Sequence, residues 1–238
     1  APEKGGPGVL VLHAWWGLKP FFKRVCDRLA EQGFTALAPD YYQGRVATTI
    51  DEAKAFMEKN DESFMGDVVK AAHDHLAALG QPIGIVGFSM GASWALLVAA
   101  NEPDVAAVVQ FYGAGEADYG NFKAKVLGHF SDVDEWEPIK WVNKMEADMK
   151  SAGVDVTLHI YPEAAHWFIE ADRPEYDSAA ASLAWSRTSL PGRPTGRLVT
   201  SSRLPFSSSS QRSFPAEEKP YFEPSRRYHT NSPDSIFT

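Results

Sequence analysis

A chain of 238 residues with 44% apolar content can bury a full core, and that length suits one α/β domain. Its formal charge of -8 is uneven: residues 189–238 hold seven Lys or Arg against four Asp or Glu, which leaves sixteen basic and twenty-seven acidic residues, a net of -11, on residues 1–188. An acidic body argues against a nucleic-acid or anionic-membrane partner, and a single cysteine, Cys26, excludes an internal disulfide and leaves too few thiolates for a structural zinc site.

Residues 1–8, APEKGGPG, lack the apolar core of a signal peptide, and the most apolar stretch, 94–100, is far short of a membrane span. A soluble, cytoplasmic protein is expected. Along the chain, short apolar and β-branched runs predict strands at 8–13, 35–39, 83–87, 106–112, 125–130 and 156–161. Segments of helical period alternate with them at 21–32, 50–59, 65–79, 91–101, 138–151 and 176–188. Gly33, Gly80 and Gly153 each follow a helical run where a left-handed residue ends a helix. The alternation predicts an α/β fold, a mostly parallel central sheet with helices on both faces, and no insertion of the size of a lid domain. The site is then expected at the carboxyl ends of the strands. After Thr188 the composition changes: residues 189–238 contain eleven Ser and seven Pro. Such a stretch buries too little apolar surface to offset its ordering entropy, so 1–188 reads as the domain and 189–238 as a disordered or loosely packed tail. Tyr221, Phe222, Arg226, Arg227 and Tyr228 leave an interaction role open, as does an origin foreign to the fold.

Residues 83–95 read IGIVGFSMGASWA: an apolar strand, then Gly87-Phe88-Ser89-Met90-Gly91, then a helical run. This is the G-x-S-x-G pattern in the context it requires. A strand that turns sharply into a helix strains its central residue and crowds backbone on both sides, which glycine tolerates. The turn lifts Ser89 above the sheet and sets the N–H groups of a helix start beside it, where an oxyanion would form.

A serine hydroxyl needs a base, and the base an orienting carboxylate. His13, His73 and His75 precede Ser89, His129 and His159 fall inside predicted strands, and His229 lies in the tail, so His166, in the turn after the last strand, is the expected base. For the acid, the segment 131–138, SDVDEWEP, offers Asp132, Asp134 and Glu135; spacing from the helix-starting Pro138 is the one local guide, and the preference for Asp134 over the other two rests in part on the resemblance given below. A metal site at His129 with Asp132 and Asp134 is not expected, and His73 and His75, two apart on a helix, do not share a face as a zinc pair would. Cys26, on a helix, reads as a small buried apolar residue.

The first strand ends in His13-Ala14-Trp15-Trp16-Gly17-Leu18. Together with Ala36 through Tyr42, Gly87 through Gly91, Asp134 through Pro138, and Tyr161-Pro162 with His166-Trp167-Phe168, this resembles the dienelactone hydrolase family over residues 8–188. The resemblance implies an α/β-hydrolase fold in which Trp15 and Met90 donate the oxyanion-hole N–H groups, with Asp134 and His166 at the positions of the family's acid and base. It departs where dienelactone hydrolase itself has a cysteine (Ser89 here), a glutamate (Ala14) and an arginine for the substrate carboxylate (Glu170). A carboxylate approaching Glu170 is expected to meet repulsion. The expected activity is therefore cleavage of a small neutral ester or lactone through an acyl-enzyme, with Trp16, Trp136 and Trp167 as substrate walls beside Trp15. Activity on an acidic lactone, a thioesterase, and a non-catalytic binding protein on the same fold are the alternatives. No cofactor or metal is expected, and the chain is read as a monomer or small homo-oligomer.

Overall fold

The computed structural model describes residues 6–188. The expected tail, 189–238, lies outside the described residues. Six strands form one sheet: β1 (Gly8–Leu12), β2 (Thr35–Leu37), β3 (Ile83–Phe88), β4 (Val105–Phe111), β5 (Lys125–Ser131) and β6 (Val156–Tyr161). Their order is β2-β1-β3-β4-β5-β6 and every pairing is parallel. The central strands are the continuous apolar runs, because a parallel strand covered on both faces has no solvent side. All of GVLVL in β1 and IGIVGF in β3 is buried. The edge strand β2 has three residues, each half-buried, which leaves little open edge for another chain to pair with.

Between the strands run α1 (Pro20–Glu31), α2 (Ile50–Lys59), α3 (Glu62–Ala77), α4 (Met90–Asn101) and α5 (Ile139–Ser151), and α6 (Ser178–Arg187) closes the domain. The step from β1 to β2 moves one way along the sheet and every later step moves the other way. Right-handed connections then set α1 on one face and α3, α4 and α5 on the opposite face. α6 joins α1, where the Arg28 guanidinium lies 4.5 Å from the Trp185 ring. Residues 90–99 of α4 are buried all round, as befits the helix at the centre of the stack.

Caps explain where helix boundaries differ from the apolar period. The period of α3 begins at Met65, but the helix begins a turn earlier because the Asp61 carboxylate accepts from Ser63 N at 2.9 Å. α6 begins at Ser178 rather than 176 because Asp177 accepts from Ala179 N and Ala180 N. Gly33 and Gly153 follow the caps of α1 and α5 with φ of 90° and 80°, the left-handed conformation expected of them.

Two histidines are folded into the core uncharged. His13 stacks on Tyr41 at 3.6 Å and donates from Nδ1 to Ala14 O, and burial pulls its pKa down to about 4. His129 stacks on Phe111 and faces the Tyr161 hydroxyl, and burial, helped by His159 and Arg187, pulls it to about 3. Between the ordinary value of 6.5 and these lowered values the unfolded chain binds protons that the folded chain refuses, so stability falls as pH falls through that window. At about 1.4 kcal/mol per pKa unit the loss at pH 4 is of the order of 3 kcal/mol per histidine. Urea unfolding from pH 7 to 4 is expected to record it, with a flatter profile in the His13→Gln/His129→Gln variant; a wild-type stability level across this range would count against it.

Candidate active site

The chain direction reverses along the sheet between β1 and β3, so the crevice at their carboxyl ends is where loops diverge and a ligand fits. Ser89 stands there, between β3 and α4. Its backbone has φ 51° and ψ -119°, a strained conformation for a residue with a side chain, and is held by Ser89 N donating to Phe111 O at 2.9 Å. The glycines of the elbow are at close approaches: a Cβ on Gly87 would meet Gly91 O at 2.4 Å, and one on Gly91 would meet Leu12 O at 2.2 Å. No side chain fits either place without moving backbone.

The Ser89 Oγ lies 3.0 Å from His166 Nε2, and His166 Nδ1 lies 2.6 Å from Asp134 Oδ2. His166 and Asp134 are buried and Ser89 is half-buried. The other Asp134 oxygen, Oδ1, accepts from Trp136 N at 2.8 Å and Glu137 N at 2.9 Å, so the loop after β5 wraps its own backbone around the carboxylate. Asp132 does something else. It is exposed, and its Oδ1 accepts from Glu163 N at 3.1 Å, tying the loop after β5 to the loop that carries His166. Ser131 Oγ donates to Ala164 O and makes a second tie. His166 is also braced by Tyr112, whose ring lies 4.8 Å from it. Trp167, the next residue, holds φ 63°.

The cleft beside Ser89 has a volume of about 40 Å³. Its walls include Trp15, Met90, Trp136, Trp167 and Met57 of α2, with Ser93, Ala114, Glu137 and His166 completing the lining. Trp15 and Met90 follow adjacent strands, and Met90 opens α4, where the first N–H groups have no carbonyl partner within the helix. Trp16 is not part of the lining: it is 1% exposed and packs behind Trp15 and Trp167, with the Arg173 guanidinium 4.2 Å from its ring. A larger groove of about 310 Å³ between α1 and α6 contains none of these residues.

Glu170 corrects an expectation. It does not face the cleft: it is 0% exposed, accepts from the Tyr112 hydroxyl at 2.7 Å, and pairs with Lys19 at 2.7 Å, which also reaches Asp172. Burial raises its pKa while Lys19 opposes the shift. With its oxygens taken up by Tyr112 and Lys19, this carboxylate is no wall of the cleft. The lining residues instead lack any Lys or Arg to anchor an anion.

Glu137, Met57, Ser93 and Ala114 were not legible as part of the site. Glu137 accepts from Ala114 N through Oε2 at 2.9 Å, and its Oε1 is buried with no hydrogen-bond partner. Burial, aided by the nearby Asp134 charge, pushes its carboxyl up to about 8. Ser93 donates to Ala114 O and so is already engaged. For metals, the one group of three such ligands among the described residues is His73, Glu102 and Asp104, away from the cleft residues. There His73 Nε2 faces Asp104 at 3.0 Å and Lys70 reaches Glu102 and Asp74, a self-contained ion network.

The profile of the Dienelactone hydrolase family matches residues 1–190. The chain belongs to the dienelactone hydrolase family. This family member is 34% identical over 202 residues to "Protein usf" of Aquifex pyrophilus, a match covering 79% of the chain and 87% of the relative. It is 32% identical over 199 residues to the "Putative carboxymethylenebutenolidase" of Aquifex aeolicus (strain VF5), covering 77% of the chain and 86% of the relative. Among solved structures, the "Putative Dienelactone Hydrolase" of Klebsiella pneumoniae aligns with a TM-score of 0.70 and 25% identity, over 79% of this chain and 86% of that one. The all-parallel sheet with its crossover helices is thus the α/β-hydrolase fold, and the chain is a hydrolase of this family. No helix among the described residues is long and apolar enough to cross a membrane.

Proposed function

We propose that this dienelactone hydrolase family member is a serine hydrolase that cleaves a small, uncharged carboxylic ester or lactone through an acyl-enzyme. The observation that carries the reading is the chain of contacts from Ser89 Oγ through the His166 ring to Asp134, at 3.0 and 2.6 Å. In the mechanism it supports, Nε2 of His166 takes the Ser89 proton as Oγ attacks the carbonyl carbon, while Asp134 holds the ring in the tautomer with its proton on Nδ1. The backbone N–H groups of Trp15 and Met90 receive the developing oxyanion. The imidazolium then returns its proton to the leaving alkoxide, and a water activated by the same nitrogen releases the acid. Ala14 places no carboxylate beside the nucleophile, which suits a hydroxyl that depends on the imidazole alone. The uncharged substrate follows from the tryptophan and methionine walls and the lack of Lys or Arg in the lining.

A fluorophosphonate probe is expected to add to the protein once, and peptide mass spectrometry to locate the adduct on Ser89. The probe should fail on the Ser89→Ala variant. Iodoacetamide is expected to leave hydrolysis intact, because Cys26 is half-buried and burial pushes its thiol up to about 11, away from the reactive thiolate. An adduct on any other residue, or inactivation by the thiol reagent, would sink the reading.

A further inference from the structure

Apart from His166, Glu137 is the one ionisable residue lining the cleft, and the proposed chemistry gives it no task. Its position is firmly set. Its backbone N–H donates to Asp134 Oδ1 at 2.9 Å, and its Oε2 is fixed by Ala114 N at 2.9 Å. The remaining oxygen, Oε1, is buried without a partner in a residue only 9% exposed. A buried polar atom left unpaired costs stability, and one kept at the wall of a binding cleft is accounted for when a ligand supplies the missing bond.

We propose that Glu137 is a substrate-binding residue that presents a carboxylic-acid O–H from Oε1, so that the preferred esters or lactones carry a second, uncharged oxygen acceptor, a hydroxyl, ether or carbonyl, beyond the scissile carbonyl. This rests on the reading of Ser89 as the nucleophile. Burial first, and then the charge of Asp134, favour the protonated acid at Glu137. Asp134 lies on the same loop; His166 faces the cleft from the loop after β6; Lys54 of α2, a cation that would act the other way, lies 5.9 Å from the ring of Trp136. From α4 come the Ser89 and Ser93 hydroxyls, and from the loop after β4 the Ala114 backbone. With its carboxyl pushed up to about 8, Glu137 keeps its proton at neutral pH. Because Oε2 accepts from Ala114 N, the proton belongs on Oε1, the oxygen that has no partner within the protein. Above that pH the donor becomes a charged acceptor, and the bond to a substrate oxygen is lost.

The test compares matched substrates that differ by one oxygen in place of a methylene: p-nitrophenyl methoxyacetate against butyrate for the acyl side, and 2-methoxyethyl against butyl acetate for the alcohol side. The ratio of kcat/KM within each pair is measured for the wild type, Glu137→Gln and Glu137→Leu, so that intrinsic reactivity cancels between enzymes. In one pair the ratio for the wild type and Glu137→Gln is expected to exceed that for Glu137→Leu about five- to tenfold, through KM, the size of one neutral hydrogen bond. The wild-type excess should vanish above pH 8 and persist in Glu137→Gln, whose amide donates at all pH values. Equal ratios in all three proteins for both pairs, or the same alkaline loss in Glu137→Gln as in the wild type, overturn the proposal; the second comparison decides even if Glu137→Leu does not fold. Ser89→Ala separates the two readings: if it is inactive while the ratios are equal, only the role of Glu137 fails, and if it retains wild-type activity, the nucleophile reading fails first.

Discussion

Ser89→Ala is expected to lower kcat for p-nitrophenyl acetate by roughly 10⁵–10⁶, the size seen when the nucleophile of a serine triad is removed. Asp134→Asn should cost about 10³–10⁴, and the reason lies in how its two oxygens are used. Oδ1 accepts from Trp136 N and Glu137 N, so an asparagine at 134 would keep its carbonyl oxygen there and turn its NH₂ toward His166 Nδ1. That nitrogen would then have to accept, which moves the ring proton to Nε2, the atom 3.0 Å from Ser89 Oγ. A ring already protonated on that side cannot take the serine proton. Asp132→Asn leaves the ring untouched, since Asp132 meets only the backbone of Glu163, and its rate should stay within about threefold of wild type, as is usual for a surface change away from the chemistry. The three variants, assayed together with thermal melts as a check of folding, separate the two carboxylates. Equal losses at 132 and 134, or full activity at 134, would refute the assignment.

How much of this was legible in the sequence depends on whether a feature is local or tertiary. The strands read clearly because apolar β-branched runs such as GVLVL and IGIVGF have no other comfortable place than the centre of a parallel sheet. Ser89 was legible because its glycines announce a backbone crowding that the structure measures directly. His166 was reachable by elimination, whereas Asp134 was separated from Asp132 and Glu135 only with the help of the family resemblance. Glu137 was not, because in SDVDEWEP it looks like one more solvated acid; only the packing of the loop against Ala114 removes it from water. Glu170 misled for the same reason. Its charge suggested a repulsive wall, and nothing local announces that Lys19, far away in the chain, reaches it within 2.7 Å. Trp15 and Trp16 are neighbours of identical type, and only the turn of the loop decides that one lines the cleft and the other backs it.

The elbow also sets a stability limit that mutation can measure. Gly91→Ala is expected to destabilise the domain by about 3 kcal/mol or more, because the new Cβ would lie 2.2 Å from Leu12 O, 2.6 Å from Leu12 C and 2.7 Å from His13 O. These are backbone atoms at the end of the central strand β1, so no rotamer change relieves the clash; α4 must tilt away or β1 must shift, and either displaces Ser89 from His166. Gly66→Ala, in the middle of α3, is the contrasting case. Its Cβ would meet only the Trp94 ring at 3.7 Å, an ordinary contact, and replacing a helical glycine should stabilise by about 0.5–1 kcal/mol. Gly153→Ala falls between them: there is open space around it, but φ of 80° strains any side chain, at a cost of roughly 1 kcal/mol. Urea unfolding should therefore rank Gly66→Ala above wild type, Gly153→Ala below it, and Gly91→Ala last or too unstable to isolate. If Gly91→Ala unfolded no more readily than Gly153→Ala, the backbone contact between the elbow and β1 would not be what fixes Ser89 over the sheet.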